Sequence, residues 1–284
     1  MHSVTLPGGE KVPALGLGTW KMGEGARARK QEIAAVRFAI EIGYRLIDTA
    51  EMYGEGGAEE VVGAALAEAF AARTVRREDI FIVSKVYPHN ASRQGAITAC
   101  ERSLERLGLD RIDLYLLHWR GQHPLTATID GFEALKAAGR IRHWGVSNFD
   151  RDDMEELWRT RGGGACAANQ VYYSASERGV EFDLLPWQRQ HGVPLMAYCP
   201  IDQGSLAKDR TFVALGQRLG VPAAQVALAW TLREPGVIAI PKAVREAHLR
   251  ENLGAAHLNL SAEDLATIDR AFPPPKRKGR LAMT

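Results

Sequence analysis

Cysteine is scarce in this sequence: Cys100, Cys166 and Cys199 are an odd number in 284 residues and form no CxxC pair. A disulfide framework is therefore not the organising principle, and a reducing cytoplasm is the expected setting. Charge of one sign is also missing. Thirty-six Lys and Arg stand against 34 Asp and Glu, a net +2, which gives no reason to expect nucleic acid or a membrane surface as partner. No apolar run approaches the roughly 18–20 residues needed to cross a bilayer. The opening MHSVTLPGGEKVPALG has no apolar h-region, so no signal peptide is expected. Linkers, repeats and low-complexity segments are absent as well, so residues 1–284 are expected to form one domain. The tail over 273–284 reads as a solvated, proline-stiffened end.

What is present is a rhythm. Eight short apolar runs alternate with longer stretches of helical character: LGLGTW (15–20), YRLIDTA (44–50), IFIVSK (80–85), DLYLLHW (113–119), HWGVSN (143–148), CAANQ (166–170), PLMAYC (194–199) and VIAIPK (237–242). Between them, Ile33, Val36, Phe38, Ile40 and Ile42 lie near a helical stripe that stops at Gly43. Ser92 is a candidate N-cap for a helix ending at Gly108, and carboxylates open the helix after residue 149. Eight strand–helix units point to a (β/α)8 TIM barrel. The alternative, an open doubly wound sheet, wants a glycine fingerprint after the first strand, and none follows it; there is no Rossmann signature. GEGGAEE (54–60) follows the second run and reads as a loop and helix start. The hairpin expected over 1–12, around Pro-Gly-Gly, would plug the barrel.

Chemistry on such a barrel belongs at the C-terminal strand ends. There the sequence places Asp48, with Tyr53 in the loop after it, then Lys85, His118, Ser147–Asn148, Asn169–Gln170, Tyr198–Cys199 and Lys242. Each has a plain reading alone: a capping aspartate, a rim tyrosine, a snorkelling lysine, a satisfied core histidine. Their convergence on one face is what argues for a site. Paired carboxylates and metal-ligand clusters, which a barrel hydrolase would want, are not found at those ends.

The eight motifs, taken in order as LGLGTW, RLIDTAEMYG, VSKV, DLYLLHW, GVSNF, NQV, AYCP and IPKA, resemble those of the aldo-keto reductases over about residues 12–272. SERGVEFDLLPW and FPPPKRK are similar to a bacterial branch of methylglyoxal reductases. The resemblance implies a TIM barrel that uses NADPH without a Rossmann domain, with a catalytic tetrad at Asp48, Tyr53, Lys85 and His118. Tyr53 is then the proton donor and His118 a neutral hydrogen-bond donor, with His118 as the acid kept as the alternative. A lysine ammonium about 4 Å away is sufficient in size to lower a phenol by roughly 2–3 units.

For the cofactor, the resemblance implies contacts from Gly18, Thr19, Trp20 and Asp48 at the first strands. Ser147, Asn148 and Gln170 hold the carboxamide, and Tyr198 stacks on the nicotinamide. Cys199, Pro200 and Ile201 follow near the pyrophosphate, Ile240, Pro241, Lys242, Ala243, Val244, Arg245 and His248 near the adenosine phosphate, and Glu251 and Asn252 at the adenine. Cys199 replaces a common serine, Ala243 another, and His248 an expected arginine; Arg245 could supply the lost charge. NADPH is expected, with NADH as a weaker second. Trp20, Tyr53, Tyr87, His118 and Trp119 are the expected substrate wall. Because no long segment follows the last helix, the pocket is expected to be open, suiting methylglyoxal and other small carbonyls. A sugar or diketo-acid reductase, or a cofactor-binding regulatory subunit, is the alternative. No metal is expected, and the enzyme is expected to be a monomer.

Overall fold

The computed structural model describes residues 3–284; residues 1 and 2 of the expected hairpin lie outside the described residues. Strands β1 (Ser3–Thr5) and β2 (Lys11–Pro13) pair antiparallel, with Val4 opposite Val12. Eight further strands form one parallel sheet in chain order: β3 (Leu17–Gly18), β4 (Leu46–Asp48), β5 (Phe81–Val86), β6 (Ile112–Leu117), β7 (Ile141–Ser147), β8 (Asn169–Tyr172), β9 (Leu195–Tyr198) and β10 (Val237–Ala239). Parallel bridges Leu15–Ala239 and Gly18–Lys242 join the last strand to the first and close the barrel. Gly18 is required at this seam, because a Cβ there would lie 2.6 Å from the Ile240 carbonyl oxygen.

Helices α1 (Ala26–Ile42), α2 (Gly57–Ala71), α3 (Arg93–Leu107), α4 (Leu125–Ala137), α5 (Arg151–Arg159) and α6 (Leu184–Gln190) follow the first six barrel strands. Two, α7 (Arg210–Leu219) and α8 (Ala223–Leu232), follow β9, and α9 (Glu246–Gly254) and α10 (Ala262–Ala271) follow β10. The caps are as the sequence suggests. The Ser92 hydroxyl accepts from the Gly95 N–H at 3.1 Å, and Asp150 opens α5 by accepting from the Asp153 N–H. Gly43 and Gly108 close α1 and α3 in the left-handed conformation. No single helix among the described residues is long and apolar enough to cross a membrane.

Two local expectations shift. The inward face of α1 carries Glu32, Ala35, Val36, Ala39 and Ile40, whereas Ile33, Phe38 and Ile42 are only half-buried. Glu32 turns in because its carboxylate accepts the Gly23 N–H at 2.9 Å, and Phe38 is covered from outside by the Arg250 guanidinium at 4.6 Å. Strand β8 starts at Asn169 and runs on through Tyr172, later than the 166–170 run suggested.

Two apolar layers result. Inside the barrel, Leu46, Phe81, Val83, Leu114, Leu116, Met196 and Ile238 pack with Val4, Leu6, Val12 and Ala14 of the hairpin, which thereby plugs one end. Outside, the alternate strand residues pack under the helices. Filling one end leaves only the opposite mouth for a site.

Candidate active site

At the C-terminal strand ends the barrel opens on a cavity of about 840 Å³. Parallel register brings its floor together. Asp48 lies opposite Val83, and Lys85, two residues further along β5, points to the same face one step higher. Lys85 is fully buried, beneath the cavity rather than lining it. Its ammonium donates to Asp48 Oδ2 at 2.8 Å, to the Thr49 carbonyl at 2.8 Å and to the Tyr53 hydroxyl at 3.2 Å. Three donors thus meet three acceptors, which is how a lysine tolerates complete burial. Asp48 Oδ1 accepts from Gln170 Nε2 at 2.7 Å, so both its oxygens are held.

Tyr53 is carried on a single 3-10 turn, Tyr53–Gly56, in which Gly54, Glu55 and Gly56 all have positive φ. Burial pushes the Tyr53 phenol well above its usual value, with the Asp48 carboxylate the second cause. The lowering expected from Lys85 is therefore reversed: desolvation outweighs the ammonium, which is shared with Asp48. Burial also lowers Lys85 from the usual lysine value against the pull of Asp48. His118 is depressed well below the ordinary 6.5, first by burial and then by Lys85, so the ring is neutral at pH 7. Its Nδ1 is buried without a partner. A neutral ring is a poor acid, which counts against His118 in that role.

A second cluster borders the first. Asn148, at φ 59, donates from Nδ2 to the His118 carbonyl at 3.0 Å and accepts at Oδ1 from the Tyr198 hydroxyl at 2.9 Å. Ser147 donates to the Gln170 carbonyl at 2.8 Å. Tyr198 stacks on Tyr172 at 5.5 Å. Burial pushes the Cys199 thiol up to about 11, so it is neutral at pH 7. Further out, Lys21, Lys208, Lys242 and Arg245 line the cavity, and among the described residues its Asp and Glu side chains are Asp48, already ion-paired, and Glu251. Arg245 stands at the N-cap position of α9 without a side-chain cap bond, and its guanidinium lies 2.6 Å from His248 Nε2. Cations and a helix N-terminus at one end, and amide and aromatic groups at the other, fit an elongated, multiply phosphorylated dinucleotide.

The expected contact residues line this cavity with three exceptions. Thr19 is buried behind Asp48, its hydroxyl donating to the Asp48 carbonyl at 2.9 Å. Val244 packs into the helix–sheet layer. Tyr87 stands outside the wall, edge-on to Trp119 at 6.0 Å with its hydroxyl on Glu55, because the Glu51 carboxylate pins its backbone N–H at 2.7 Å.

Sequence reasoning missed Lys21, Met52, Gln203, Lys208, Met283 and Thr284. Lys21 directly follows LGLGTW and Met52 lies within RLIDTAEMYG just before Tyr53, so both could have been read; nothing local marks the others. The last two show that the short tail reaches the mouth, although no long loop follows the last helix. Lys278 pairs with Asp152 at 2.7 Å and Leu281 packs on the core, which carries the tail to the cavity. There Met283 and Thr284 join Tyr198 in the cavity lining.

The family model described as the aldo/keto reductase family matches residues 14–272. A methylglyoxal reductase, YeaE, of Escherichia coli (strain K12) is 49% identical, with 99% of this chain and 98% of the relative covered. A glyoxal reductase of Bacillus subtilis (strain 168) is 36% identical over 94% of this chain and 91% of its own length. In structure, the chain is similar to an aldo/keto reductase from Klebsiella pneumoniae crystallised with NADP and acetate, at TM-score 0.94, 49% identity and 99% coverage of both chains.

Proposed function

Because this chain belongs to the aldo/keto reductase family and is an NADPH-dependent oxidoreductase of carbonyl groups, we propose that it reduces small aldehydes and dicarbonyls such as methylglyoxal, with Tyr53 as proton donor. The observation that carries the reading is the buried Lys85 ammonium, held between Asp48 and the Tyr53 hydroxyl at the cavity floor. Bound NADPH supplies the hydride. Ser147, Asn148 and Gln170 would hold its carboxamide, Tyr198 its ring, and Lys242 and Arg245 its adenosine phosphate, all of which line the cavity.

The chain's own residues do the rest. Neutral His118 has one ring N–H to donate to the substrate oxygen, which orients the carbonyl and stabilises the charge growing on it. Tyr53, held above its usual pKa, keeps its proton until that oxygen becomes an alkoxide, a far stronger base than a phenolate. As the proton leaves, negative charge appears 3.2 Å from the Lys85 ammonium. The lysine thus acts on the charge as it forms rather than by ionising the resting phenol. Trp20, Met52 and Trp119 give the pocket an apolar wall beside this polar floor, which suits a short carbonyl compound. We read residues 1–284 as one such domain and the enzyme as a cytoplasmic monomer; its three free thiols support a reducing compartment.

NADPH absorbance with a carbonyl panel tests the proposal. Methylglyoxal is expected to be preferred over simple aldehydes, and absence of that preference overturns the substrate class. Tyr53→Phe should lose at least about 10²-fold in kcat, the usual contribution of a positioned acid, with NADPH affinity nearly unchanged. Wild-type turnover in that variant overturns the role of Tyr53.

A further inference from the structure

Lys85 and Tyr53 come from different elements, and the turn that carries Tyr53 has little regular structure to hold it. Three successive residues, Gly54, Glu55 and Gly56, are left-handed, and Glu55 has a Cβ to strain there. Six residues after Tyr53, in the first turn of α2, stands Glu59. It is a fully buried carboxylate that the reaction does not use. Its Oε1 accepts from the Ser84 hydroxyl at 2.5 Å, and Ser84 immediately precedes Lys85 on β5. Its Oε2 accepts from Arg106 of α3, at 2.7 Å from Nε and 2.6 Å from the terminal nitrogen. The Arg106 side chain lies flat against Gly56, where a Cβ would come within 2.6 Å of its Cδ and Nε. One carboxylate therefore fastens together the turn bearing Tyr53, the strand bearing Lys85 and the helix behind both.

We propose that Glu59, with Ser84 and Arg106, is a positioning unit that sets the distance between the Tyr53 hydroxyl and the Lys85 ammonium. The inference rests on the reading of Tyr53 as proton donor and Lys85 as the charge beside it. It goes further in assigning a buried ion pair on the outer face of the sheet to the geometry of proton transfer. Burying Glu59 fully and Arg106 in large part costs desolvation that packed apolar residues would avoid, so stability alone is a weak reason for the pair. Small errors in donor placement, by contrast, weigh heavily on rate. Other titratable groups near Glu59 are Cys100, Tyr115 on β6, and Lys85 itself. Glu59 also favours the ammonium form of Lys85.

Ser84→Ala tests this most cleanly, because it removes the link to β5 and leaves the Glu59–Arg106 pair intact. We expect kcat to fall about 5- to 20-fold, the scale of a displaced donor. The KM for the carbonyl and the NADPH Kd, read by intrinsic fluorescence, should stay within about twofold, and the solvent deuterium isotope effect on kcat should rise. Ser84→Thr keeps the hydroxyl and should restore both kcat and the isotope effect. Glu59→Gln should repeat the kcat loss and move the alkaline limb of the rate profile to lower pH. A Ser84→Ala enzyme with lowered Tm and wild-type kcat overturns the proposal, as does a loss that falls equally on NADPH affinity. A wild-type chain that binds NADPH yet reduces no carbonyl removes the proposed function instead, and this inference with it.

Discussion

Removing the Lys85 ammonium should slow reduction by an amount that depends on what is left behind. With the nitrogen 3.2 Å from the phenol oxygen and an effective dielectric near 20, a full charge on Tyr53 gains about 5 kcal/mol from it. Asp48 works against this. Its oxygen is 2.8 Å from the same nitrogen, so it lies at most about 6 Å from the phenol and opposes by about 3 kcal/mol. The pair together is then worth at most about 2 kcal/mol, roughly 30-fold in rate. Lys85→Met removes the favourable part and leaves the carboxylate, so its full cost approaches about 5 kcal/mol, between 10³- and 10⁴-fold. Burial already raises Asp48 above its usual carboxylate range, and without the ammonium it will take up a proton more readily still. Lys85→Met should therefore match the double variant Asp48→Asn/Lys85→Met at low pH and fall below it as the medium becomes alkaline. Single-turnover NADPH oxidation across pH reads this directly, since cofactor release does not enter. A double variant slower than Lys85→Met at alkaline pH, or a Lys85→Met enzyme with wild-type rate, refutes the electrostatic argument.

His118 gives a stability test. Its folded pKa is depressed, so below its ordinary 6.5 the unfolded chain binds a proton that the folded chain does not. Stability should fall with acidification by up to about 1.4 kcal/mol per pH unit from this group, and His118→Asn should lose that component in Tm measured between pH 7.5 and 5. At the barrel seam, Gly18→Ala should destabilise by about 1–3 kcal/mol through overpacking against the Ile240 carbonyl, read as a lowered urea midpoint. Lys242→Ala and Arg245→Ala should each weaken NADPH binding at least about fivefold and leave NADH nearly unchanged, because only the former carries the added phosphate. Equal losses for both cofactors in a fluorescence titration would remove these residues from phosphate recognition.

Much of the site was legible because a parallel barrel gathers strand ends by construction. Once YRLIDTA, IFIVSK and DLYLLHW are strands, Asp48, Lys85 and His118 must share one mouth, whatever the details of twist. What the spacing could not convey is the sign of the net effect on Tyr53. The same lysine lowers or fails to lower a phenol according to how far burial and a shared carboxylate offset it, and both are three-dimensional quantities. Tyr87 shows a similar limit. Its place after a strand end resembled a pocket position, yet the Glu51 and Glu55 carboxylates turn it away from the cavity.

The sequence alone determined the element order, the closure into a barrel and the residue types at its mouth, because apolar period, caps and turn glycines are local and additive along the chain. Only the tertiary structure decided that Thr284 reaches the cavity that Tyr198 lines, and that Glu59 joins the helix start after Tyr53 to the strand of Lys85 through Ser84. Contacts between residues distant in sequence are set by packing and leave no periodic mark. A buried carboxylate in GEGGAEE reads the same as a solvated one until the partner that compensates its charge, Arg106, is in place 47 residues later.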